Sequence, residues 1–104
     1  MHLSSIAAYG FDFADGVDET DPVRVRGYSY VDTKVNSEHV VLAAEAAGEI
    51  ATTIIRPGDV WGPGSRPWTI IPLEMIAKGQ MILPAHGRGV FSPVHVDTLV
   101  DGMV

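Results

Sequence analysis

The stretch Tyr28-Ser29-Tyr30-Val31-Asp32-Thr33-Lys34 opens the longest helix-like segment of the chain, and its reading decides the fold. From about Tyr28 to Ala47, Val31, Val35, Val41 and Leu42 supply apolar positions, and four alanines near the end are strong helix formers. Gly48 is placed to stop the helix. So many small residues suit close packing against a sheet or a partner's helix. Within this helix Tyr30 and Lys34 stand four positions apart, on one face and about one turn from each other. A phenol is a poor base at neutral pH, and an ammonium group held beside it favours the phenolate. Such a pair can exchange a proton with a substrate hydroxyl or carbonyl. With three tyrosines and two lysines, one such spacing arises by chance in roughly one chain in twenty, so the pair needs support from the rest of the sequence.

Outward from the helix, strands and turns alternate. Residues 1–9 read as the end of a strand running into a turn at Gly10. Residues 11–27 carry five acidic side chains with Gly16 and Pro22, and read as a solvated surface loop. Within the helix, Glu38 and His39 read as solvated or hydrogen-bonded side chains. Ala51-Thr52-Thr53-Ile54-Ile55-Arg56 is rich in β-branched residues, ends at Pro57 and reads as a buried strand. Gly58 to Gly64 reads as a loop at the carboxyl end of that strand, the edge where ligands sit in open α/β sheets. Ser65 is expected to cap a second helix, with Pro72 shifting its start to about Ile70 and Gly79 ending it. Trp68 is a packing residue, or a wall of a ligand pocket beside the glycine-rich loop. Met81-Ile82-Leu83 and Val90 to Val96 read as strands on either side of a turn at Gly87-Arg88-Gly89. Asp97 is placed to cap a last helix. The alternation implies an α/β fold with a mainly parallel sheet, in one domain over residues 1–104.

Bulk properties narrow the function classes. The hydrophobic fraction of 46% and charged fraction of 19% are those of a globular protein. A net charge of −6 with no basic run argues against a nucleic-acid surface. With no cysteine there can be no disulfide and no thiolate metal site. No apolar run reaches the length of a membrane span, and the first residues lack the pattern of a signal peptide, so a cytoplasmic location is expected.

Four motifs, in order, resemble the extended short-chain dehydrogenase/reductase superfamily and, within it, the NAD-dependent epimerase/dehydratase family. Ser4-Ser5-Ile6-Ala7-Ala8-Tyr9-Gly10 resembles that family's SS-x-x-x-YG strand end, and Tyr30 to Lys34 matches Y-x-x-x-K. Arg56-Pro57-Gly58-Asp59-Val60-Trp61-Gly62-Pro63-Gly64 resembles its RP-x-x-VYGPG loop, with Trp61 where tyrosine is commoner. Phe91 to Asp97 resembles its f-x-x-V-H-V-D segment. The resemblance implies a partial Rossmann-like, doubly wound parallel sheet with part of the small substrate-binding region. It implies NAD or NADP as cofactor, and an oxidoreductase or epimerase/dehydratase acting on a hydroxyl or carbonyl group of a sugar nucleotide or a smaller carbonyl compound. Ser5 would hydrogen-bond the substrate oxygen, Tyr30 would be the general acid/base, and Lys34 would hold the nicotinamide ribose. Pro57, Gly58 and Val60 would line the nicotinamide, and Asp59 would face the substrate.

Three departures accompany the resemblance. The glycine-rich G-x-x-G-x-x-G phosphate loop has no counterpart in these residues, so the chain is expected to be a middle piece. Thr98 stands where an acidic residue is common. Phe91 stands where nucleotide-sugar enzymes often carry an arginine, and Arg88 is the one nearby substitute. The rival expectation is a non-catalytic truncated module that keeps the family core and packs against a partner. A homodimer through the alanine-rich helix or an exposed sheet edge is the expected association.

Overall fold

Two short apolar runs far apart in sequence form the first ladder. β1 (His2–Leu3) pairs in parallel with β2 (Ile54–Ile55), with His2 opposite Ile54 and Leu3 opposite Ile55. Backbone bonds carry the pairing further: His2 N–H donates to Thr53 O at 2.8 Å, Ser4 N–H to Ile55 O at 2.8 Å, and Ile6 N–H to Pro57 O at 3.0 Å. Parallel strands need a long crossover, and here it carries α1 (Ser29–Ala46). Val31 and Val35, one turn apart on α1, are fully buried with Ala8, and Ala7 and Val23 pack on this core. The helix begins where Asp32 turns back and accepts from the backbone N–H groups of Arg26 (2.7 Å) and Gly27 (3.0 Å). It ends before Gly48, whose φ of +73° is the left-handed conformation expected of a helix stop.

The computed structural model describes residues 1–104 and divides into two compact units, Met1–Pro57 and Gly58–Val104. In the second unit, β3 (Asp59–Trp61) pairs in parallel with β4 (Pro93–His95). The expected glycine-rich loop therefore contains a strand. Gly and Pro mark turns locally, but residues 59–61 gain a ladder partner from a segment more than thirty positions away. The approach is close at Gly58, where a Cβ would stand 2.1 Å from the backbone oxygen of Ser92.

Three other expectations for this unit are corrected. Met81-Ile82-Leu83 is not a strand, since no segment pairs with it. The second helix starts as a π-helical turn, Arg66–Ile70, and becomes α2 (Ile71–Ala77) with Pro72 in its first turn. Ser65 does not cap it through its side chain; its hydroxyl donates instead to Val60 O at 2.9 Å. The last helix, α3 (Val96–Asp101), is capped by His95 rather than Asp97, with His95 Nδ1 accepting from the Asp97 N–H at 3.3 Å. The class is α/β with parallel pairing, as the alternation implied. The strands form two separate two-stranded ladders, not a continuous doubly wound sheet.

Candidate active site

In the unit of residues 1–57, which holds four of the expected residues, the ladder sets Ser5 and Pro57 at one edge and α1 carries Tyr30 and Lys34. β1 and β2 are parallel, so their carboxyl ends, Ser4-Ser5 and Arg56-Pro57, lie side by side, joined by the Ile6–Pro57 bond. Ser5 precedes a 3₁₀ turn, Ile6–Tyr9, and its Oγ accepts from Ala7 N–H at 3.2 Å. That bond occupies a lone pair and leaves the hydroxyl proton free to donate.

Tyr30 and Lys34 meet as the helical spacing requires. Lys34 Nζ lies 5.9 Å from the centroid of the Tyr30 ring. Nζ also donates to Leu3 O at 3.0 Å, which ties α1 to the end of β1, two residues before Ser5. An ammonium has three N–H groups, so two remain for a further ligand. Tyr30 is 58% exposed. These donors fit the nicotinamide-ribose end of a dinucleotide. None of the helix starts in residues 1–104 carries the glycine-rich loop that would seat its pyrophosphate.

Beneath this edge lies an ion pair that the sequence reading did not single out. Glu38 is completely buried and hydrogen-bonded, the second of the two states expected for it. Its carboxylate takes two hydrogen bonds from Arg56, from Nε at 2.9 Å and Nη2 at 2.7 Å. Arg56 Nη1 reaches the Tyr9 hydroxyl, and the guanidinium lies 4.8 Å from the centroid of the Tyr9 ring. Tyr9 in turn donates to Asp18 O at 2.8 Å. Burial is the largest single influence and would raise the Glu38 carboxyl, but the hydrogen bonds and charge of Arg56, with smaller contributions from Ser4 and His2, together outweigh it and hold the pKa below the usual carboxylate range. The adjacent Ser4 hydroxyl is buried and makes no hydrogen bond within normal geometry; it adds a weaker stabilisation of the carboxylate. The signal was present in the sequence. Val31, Val35 and Glu38 fall at i, i+4 and i+7, so an acid sat on the buried stripe, and Arg56 was the cation ending an apolar strand.

The remaining expected residues lie in the unit of residues 58–104. Gly58 abuts Ser92. Asp59 sits in β3 with its N–H donating to Ser92 O at 2.8 Å, and its carboxylate accepts from Ser92 N–H at 3.2 Å. The carboxylate therefore already serves the start of β4. Val60 pairs with Val94. Trp61 pairs with His95, their rings edge-to-face at 4.6 Å. No helix of the chain is long and apolar enough to cross a membrane.

Comparison with known proteins agrees with the family resemblance. The chain is 29% identical over 110 aligned positions to 4-hydroxy-2-methyl-3-oxo-4-farnesyl-3,4-dihydroquinoline-1-oxide ketoreductase of Stigmatella aurantiaca. The alignment covers all of this chain and 31% of that protein, so the chain spans about a third of its relative's length. No solved structure gives a significant match. The model of the NAD dependent epimerase/dehydratase family matches residues 1–104, and the chain belongs to that family.

Proposed function

We propose that residues 1–57 carry the proton-transfer half of an NAD(P)-dependent oxidoreductase acting on a carbonyl or hydroxyl group. The observation that carries this reading is the Tyr30–Lys34 pair on the first turns of α1, with Lys34 anchored to Leu3 O at the end of β1. The nicotinamide, when bound, supplies the hydride. Ser5 donates a hydrogen bond to the substrate oxygen and orients it. Tyr30 gives its phenolic proton to that oxygen during reduction, or takes one during oxidation. Lys34 uses its two free N–H groups on the nicotinamide ribose and places positive charge beside the phenol. Pro57, at the carboxyl end of β2, borders the nicotinamide. The relative is named as a ketoreductase of a farnesyl-bearing quinoline oxide. That name favours reduction of a ketone in an apolar molecule over chemistry on a sugar nucleotide. Association of two copies through α1, where Val40 and Leu42 are exposed, belongs to the same proposal.

The test pairs cofactor titration with turnover. NADH or NADPH at millimolar concentration should give binding heat, and the chain should then reduce a ketone probe. Tyr30→Phe should lower turnover by at least about 10²-fold, the low end for a positioned acid/base, with cofactor affinity little changed. Lys34→Ala should weaken both. Absence of cofactor binding by this chain would instead favour a non-catalytic module.

A further inference from the structure

The unit of residues 58–104 contains a cavity lined by Trp68 and by Phe91, the first residue of the last motif. It has a volume of about 520 Å³, within the range of about 300–1,000 Å³ typical of small-molecule pockets. Trp68 and Phe91 line it, their ring centroids 5.1 Å apart and their planes tilted by 49°. Met81, Ile82, Leu83 and Val90 line it as well, with prolines and glycines completing the wall. No charged side chain lines it. Arg88, the one cation of this segment, donates its Nε to Ala85 O at 3.4 Å within its own loop and is not part of the wall. The loop is held in an unusual shape, for Ala85 and His86 both have positive φ, +50° and +55°. Non-glycine residues in that region cost of order 1–3 kcal/mol each and tend to gather at ligand clamps.

From this geometry we infer that the Trp68–Phe91 cavity binds an uncharged, apolar small molecule of isoprenoid or fused-ring type. A nucleoside diphosphate would leave its phosphates in a wall without a cation, losing the charge-assisted bonds such groups require. A protein partner fits less well. The concave apolar lining is a small fraction of the roughly 800 Å² that each side of a stable interface buries. The packed Trp68–Phe91 pair offers an apolar surface that suits a flat or chain-like hydrocarbon, which gains from burial without needing polar partners. As a statement about binding, the inference stands on residues 58–104 alone. As a statement about the substrate of Tyr30, it rests on the function proposed above.

The experiment titrates the full chain without cofactor. In a Trp61→Phe background Trp68 is the sole tryptophan reporter, and farnesol and uridine diphosphate serve as probes. Farnesol should shift or quench Trp68 emission saturably at micromolar concentration, while uridine diphosphate should neither bind nor compete. Val90 is 89% exposed and outside every helix and strand, so Val90→Asp should leave the far-ultraviolet circular dichroism unchanged and weaken farnesol at least tenfold. Phe91→Ala should weaken it severalfold. Sedimentation at the same concentrations covers the remaining occupant. A dimer that Val90→Asp converts to monomer, without saturable farnesol binding, would make the cavity a contact between copies and overturn the inference. Competition by uridine diphosphate, or no farnesol response in a monomer, would overturn it as well. Because no turnover is measured, failure here is distinct from failure of the Tyr30 reading.

Discussion

Glu38 and Arg56 set the energetics at the scale of single residues. A buried ion pair is a weak source of net stability, but removing one partner strands a buried charge and typically costs about 3–5 kcal/mol. Glu38→Ala should therefore destabilise the chain by about that amount, read as a lowered urea midpoint at pH 7. The pH dependence follows from the direction of the Glu38 shift. Its folded pKa lies below the ordinary value of 4.5, so the native state holds fewer protons than the unfolded one. The stabilisation is complete above that value and is lost as the pH falls through the lowered folded pKa. Asp18 and Glu45 are also lowered, by hydrogen bonds from Thr20 and Thr52, and contribute to the same acid limb. Glu38→Gln isolates its own part: the variant should lose less stability than the parent between pH 5 and pH 3, by urea titration at each pH. An equal loss would show that Glu38 is not held ionised. Tyr30 and Lys34 were legible because their pairing depends on helical spacing alone. The Glu38–Arg56 pair joins a helix to a strand, and no local pattern specifies which cation meets a buried acid.

At the scale of elements, α1 was readable nearly to its ends, and in the second unit α2, α3 and β4 were readable while β3 was not. A long run of helix formers fixes α1 through bonds four residues apart. The ladder β3–β4 depends on residues 59–61 meeting residues 93–95, and the turn-forming glycines around it point locally to a loop. Gly58 is the element-level test. A side chain there would collide with the Ser92 backbone, which cannot swing aside as a flexible side chain could. Gly58→Ala should cost near the top of the about 1–3 kcal/mol range for overpacking, seen as a lowered melting temperature. Gly89→Ala is the control, since a Cβ there meets nothing within 4 Å. Equal melting of the two variants would mean that the β3–β4 approach is looser than described.

Across the whole molecule, burial is uneven. The fully buried apolar residues, Ala8, Val31 and Val35, all lie in the unit of residues 1–57. The unit of residues 58–104 has none, and Ile82 and Val90 stand 73% and 89% exposed. Local stability follows buried contacts. In native-state hydrogen exchange, amides of Val35 to Glu38 should be the slowest of the chain, and those of residues 81–91 should exchange fastest. The reverse order would place the core elsewhere. Sequence by itself determined the α/β class, the parallel sense of pairing, the central helix and the Tyr30–Lys34 spacing, because each follows from local periodicity or from motif order. Tertiary structure alone decided that the strands form two short ladders, that Glu38 is buried against Arg56, and that Trp68 and Phe91 face one apolar cavity. Those features depend on which distant segments meet, and a chain's local preferences do not encode the free energy of that encounter.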